Sequence, residues 1–128
     1  MIRTEPIIGV QNVEKSSNWY QNLLGCKSNH GGDEFEILAD QDDTIILCLH
    51  KWGEDNHPTL SNPKMAGNGL ILYFRVDNLD EKWENAKSLN AEIEEEPSLN
   101  QNSGKKEFAI RDLDGYFLTI TEYHKYEG

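Results

Sequence analysis

Residues 106–122, K-E-F-A-I-R-D-L-D-G-Y-F-L-T-I-T-E, decide how the rest of the chain is read. Phe108, Ile110 and the run from 117 to 121 are rich in aromatic and β-branched residues, and Asp114-Gly115 between them signals a tight hairpin turn because Gly supplies positive φ. Alone this is an ordinary hairpin. Its meaning comes from what precedes it. Residues 91–96 read as a strand, and Asn78 reads as the N-cap of a helix with Glu81 three positions on in a capping-box pattern. Leu79, Trp83, Ala86 and Leu89 form that helix's buried stripe, and the apolar run 69–76 is the strand before it.

The first half repeats that order. Residues 2–10 are apolar and β-prone, Asn12 caps a helix that Gly25 ends, and Val13, Tyr20, Leu23 and Leu24 share one helical face. Strands follow at 26–30, 34–39 and 44–51, broken at Gly31-Gly32 and at 40–43. Residues 53–68, with two prolines and little periodicity, read as a linker. V-Q-N-V-E at 10–14 matches V-D-N-L-D at 76–80, an offset of 66, so the chain is a duplicated βαβββ unit.

Composition narrows the function classes. The 128 residues suit one domain with a core that needs no metal or disulfide staple. Mean hydropathy of −0.71 calls for an economical core and a strongly polar surface. A net charge of −11 repels phosphate backbones and anionic lipid, so neither nucleic acid nor a membrane surface is expected as a partner. The acidic run Glu92, Glu94, Glu95, Glu96 reads as a solvated face. Cys26 and Cys48 lack metal-binding spacing, and the N-terminus lacks a secretory pattern, so free thiols and a cytoplasmic location are expected.

The duplication, with S-S-N-W-Y-Q-N-L-L-G at 16–25, F-R-V-D-N-L-D at 74–80 and R-D-L-D-G-Y at 111–116, resembles the vicinal-oxygen-chelate superfamily. That group includes glyoxalase I, extradiol dioxygenases, fosfomycin-modifying transferases and bleomycin-resistance proteins; Leu113 replaces the Pro usual in its closing motif. The resemblance implies an α+β fold. Two tandem βαβββ modules, about 1–60 and 66–128, would form one domain over 1–128, a curved mixed sheet around a cavity with helices on the outer face. It also implies a homodimer, since exposed sheet edges are commonly paired between chains.

Enzymes of this superfamily hold a divalent metal with His and Glu ligands from the first and last strands of each module. Counted from the matched motifs, those positions are Glu5, Leu47, Ile71 and Thr119, of which only Glu5 is a strong ligand. A carboxylate, two aliphatics and a hydroxyl do not make a Zn, Fe, Ni or Mn site, so no metal and no other cofactor is expected. His30, His50, His57 and His124 show no ligand spacing and read as polar residues at strand ends and on loops; alternation from Leu47 turns His50 away from the cavity.

Strand parity gives the ligand side. If Ile71 faces the cavity, so do Tyr73 and Arg75, and on the last strand Phe117, Thr119 and Thr121; Leu47 and Leu49 take the same role in the first module. Trp52 either lines the cavity mouth or packs half-buried, and Arg75 either meets a ligand or makes a structural ion pair. Trp19, Tyr20 and Trp83 read as core. No catalytic residue is assigned, because neither Ser16 and Ser17 nor the cysteines have an activating neighbour in sequence, and phosphate-loop and dinucleotide motifs are absent. The expected function is a small-molecule binding protein of the bleomycin-resistance type. The rivals are a metal-dependent glyoxalase- or dioxygenase-like enzyme, a metal-independent isomerase or lyase with Glu5 as base, and an interaction module with a filled cavity.

Overall fold

The computed structural model describes residues 1–53, 58–61, 63–65, 67 and 69–123. The elements are β1 (Ile7–Val10), α1 (Val13–Leu24), β2 (Lys27–Ser28), β3 (Phe35–Ala39), β4 (Ile45–Lys51), β5 (Leu72–Val76), α2 (Leu79–Ser88), β6 (Glu92–Leu99), β7 (Lys106–Arg111) and β8 (Phe117–Glu122). Short 3-10 turns lie at Pro58–Leu60 and Pro63–Met65, within the stretch read as a linker. Contacts divide the chain into two compact units, Met1–Ala66 and Gly67–Gly128. Each holds one βαβββ module with a four-stranded mixed sheet, in the orders β1-β4-β3-β2 and β5-β8-β7-β6. The fold is α+β with tandem modules.

In the first unit Asn12 caps α1 by accepting from the Lys15 N–H at 3.0 Å, and Gly25, at φ 74°, ends it by donating to the Gln21 carbonyl at 2.9 Å. Val13, Tyr20 and Leu23 are buried, as the helical spacing predicts. The face of the sheet beneath α1 is settled by Ser17, whose hydroxyl donates to the Glu36 carboxylate at 3.0 Å. Register carries that face outward: Glu36 and Leu38 pair with Leu49 and Leu47, and Leu49 pairs with Ile8. Leu38, Leu47, Leu49 and Val10 are essentially unexposed, each contributing about 1.5–3 kcal/mol of hydrophobic burial.

The second unit is built the same way. Asn78 accepts from the Glu81 N–H at 3.1 Å, while Glu81 meets the cap's own side-chain amide at 3.5 Å rather than its backbone. The Trp83 ring lies 5.1 Å from Phe108, so Phe108, Ile110, Leu118, Ile120, Leu72 and Phe74 share the face toward α2. The β7–β8 turn is tied by Asp112, which accepts from the N–H groups of Asp114 and Tyr116, both at 2.9 Å, with Gly115 at φ 88°. Arg111 holds the same hairpin by donating to the Gly115 carbonyl at 2.9 Å and pairing with Glu94 at 3.0 Å.

Several boundaries differ from expectation. Strand β2 is only two residues long, and the chain then bends before Gly31 and Gly32, which take positive φ; β5 starts at Leu72, after Gly67 and Gly69 at positive φ. Strand β6 continues to Leu99 through Pro97 because it is an outer strand, where a missing N–H costs no ladder bond. Its glutamates Glu92, Glu94, Glu95 and Glu96 are exposed, an acidic edge that discourages further strand pairing. No helix among the described residues is long and apolar enough to cross a membrane.

Candidate ligand-binding faces

Each sheet has one face toward its helix and one away from it, and the second is where the superfamily resemblance places a ligand. In the first unit Leu47 and Leu49 do not belong to that face. They are 1% and 0% exposed and sit beneath α1, on the same side as Glu36. The away face instead carries Ile7, Ile37 and Cys48, then Gly9, Phe35 and His50. His50 therefore lies on the face it was expected to avoid, in a row with Phe35 and His30 whose ring centroids are 5.9 and 5.3 Å apart.

The reason is in β4 itself. I-I-L-C-L-H-K is almost continuously apolar at its start, so alternation does not reveal its orientation; its register with β3, whose Glu36 is held beneath α1 by Ser17, does. Trp52 is half-buried, with its indole against Gly9, where a Cβ would fall 2.6 Å from the ring. The indole thus occupies the space that a larger residue at position 9 would need.

Among the described residues Glu36 is the most heavily bonded carboxylate of this unit. Its Oε1 accepts from the N–H groups of His30, Gly31 and Ile37 at 3.2, 2.8 and 2.9 Å, and its Oε2 from the hydroxyls of Ser17 and Ser28 at 3.0 and 2.7 Å. Burial alone would raise its pKa, but the Gly31 N–H, the two serine hydroxyls and the His30 N–H together hold it below the ordinary glutamate value. Its partners are all the protein's own, so its role is to join α1, β2 and β3.

Glu5 is exposed and borders a cleft of about 310 Å³ with Arg3, Thr4, Asp42, Asp43 and Thr44. Both cysteines are free and buried. Burial pushes the Cys26 thiol up to about 11, and burial, with the charges of Glu5 and Glu36, also raises Cys48. Neither is primed as a nucleophile.

In the second unit parity holds. Tyr73 and Arg75 on β5 pair in register with Thr119 and Thr121 on β8, and these with Ala109 and Glu107 on β7. Ile71 and Tyr73 are 59% and 42% exposed, Phe117 is half-buried, and Thr119 and Thr121 are buried. The Tyr73 hydroxyl crosses β8 to donate to Glu107 at 2.7 Å, and the Asn100 amide donates to the other Glu107 oxygen at 2.9 Å. The Arg75 guanidinium stands 5.8 Å from the centre of the Tyr123 ring, and that of Arg111 5.1 Å from Phe117. Glu107 was not anticipated from sequence, although the apolar pair Phe108 and Ile110 turned toward α2 fixes its direction. His57 and His124 lie outside the described residues.

The profile of the Glyoxalase/Bleomycin resistance protein/Dioxygenase superfamily matches residues 4–120. The chain belongs to this superfamily. Among curated proteins it is 25% identical to Glyoxalase I of Saccharomyces cerevisiae over 136 residues, covering 91% of this chain and 42% of that protein. The chain thus spans less than half the length of that relative. Among solved structures it resembles TioX from Micromonospora sp. ML1 (TM-score 0.76, 15% identity, 97% of this chain and 100% of that one). A bleomycin resistance determinant encoded on transposon Tn5 is similar at TM-score 0.69 and 21% identity, over 98% and 100% of the two chains. At these identities the structures share the fold.

Membership raises the question of the superfamily's metal. Offset by 66, Ile7 corresponds to Tyr73; Ile7 pairs with Cys48 as Tyr73 pairs with Thr119, so the last-strand counterpart of Thr119 is Cys48, one residue beyond Leu47. The first unit then offers Glu5 and a thiol whose raised pKa disfavours the metal-binding thiolate, and the second offers Ile71 and Thr119. Among the described residues no three His, Cys, Asp or Glu side chains group as a metal site. These donors do not fit a catalytic Zn, Fe, Ni or Mn ion.

Proposed function

We propose that this protein binds a small molecule and sequesters it, in the manner of bleomycin-resistance proteins, without a catalytic metal. One observation carries the reading: Ile71, just before β5, and Thr119 on β8 stand at the positions matched to the superfamily's metal ligands, while the away face of the second sheet carries Tyr73, Arg75 and Glu107. Such a surface orients a polar ligand with convergent hydrogen bonds but provides no Lewis acid. Two buried free thiols suit a reducing, cytoplasmic setting.

A thermal-shift panel of divalent metals, thiols and aromatic antibiotics tests this directly, since any binder of the native state raises the melting temperature. The expected result is a shift with organic ligands and less than one equivalent of Zn, Ni, Fe or Mn in purified protein. One tightly held metal per chain, with lyase turnover, would instead favour the enzymatic reading that the similarity to yeast Glyoxalase I supports.

A homodimer is part of the proposal. Strand β5 is an outer strand, and the Leu70 and Ile71 side chains leading into it are 39% and 59% exposed, an apolar edge that a second copy would cover. Light scattering with and without chelator should give the same mass, twice the 14.7 kDa of one chain; a monomer at micromolar concentration removes the dimer.

A further inference from the structure

We draw no further inference here: the strongest candidate, the cleft of about 310 Å³ between the segment leading into β1 and the β3–β4 turn, lined by Arg3, Glu5, Asp42 and Asp43, rests on a cluster of acidic side chains, and nothing else among the described residues marks a ligand there.

Discussion

Glu36→Gln should lower stability at pH 7 by roughly 2–4 kcal/mol, since a buried carboxylate would lose its charge while five donors still point at the site. Glutamine keeps the length and one acceptor oxygen for the three N–H groups, but its NH₂ would face the Ser17 and Ser28 hydroxyls where Oε2 accepted two bonds. The pH dependence separates the charge from the shape. The folded carboxyl titrates below its ordinary value, so its contribution is complete above the unfolded glutamate pKa of about 4.3 and is lost as pH falls through the lower folded value. Urea midpoints of the wild type and Glu36→Gln should therefore converge as pH is lowered from 7 toward 3. A gap that stays constant over that range would show that shape, not ionisation, sets the cost.

Glu36 also shows what the sequence could and could not reveal. An acidic residue in F-E-I-L-A looks like an outward-facing strand position, yet it points beneath α1. Apart from the adjacent Ile37 N–H, nothing local announces the donors, because Ser17 lies 19 residues away and Ser28, His30 and Gly31 are brought in by β2 and the turn after it. The architecture was legible for the opposite reason. Asn12, Gly25, Asn78 and the Asp114-Gly115 turn act through neighbours within about four residues, and the structure uses each of them as the pattern implies.

The face assignment divides along the same line. In β5 and β8 apolar Leu72, Phe74, Leu118 and Ile120 alternate with Tyr73, Arg75, Thr119 and Thr121, so orientation could be read directly. In β4 the run Ile45, Ile46, Leu47, Cys48, Leu49 has no alternation, and a one-residue slip moved the whole strand to the wrong face. Glu107 was missed because its significance depends on Tyr73, 34 residues away in sequence.

Leu49 converts that slip into an expected result of the largest size. It is 0% exposed, pairs with Ile8 on one side and Glu36 on the other, and lies on the face toward α1. Leu49→Ala should therefore cost about 2–5 kcal/mol, the transfer of the lost methyl groups plus the cavity they leave. For a chain of this size that corresponds to a fall in melting temperature of roughly 10 °C. His50→Ala, one position on but facing away from the helix, removes a half-buried ring bonded to the Lys51 carbonyl at 2.9 Å and should cost about 1 kcal/mol or less. Differential scanning calorimetry of the two variants side by side reads the orientation of β4. A ligand-lining Leu49 would behave in the reverse way: its truncation would leave the melting temperature nearly unchanged, and His50→Ala would be the destabilising variant. That outcome would return Leu47 and Leu49 to the ligand face and undo the assignment of Cys48 as the counterpart of Thr119.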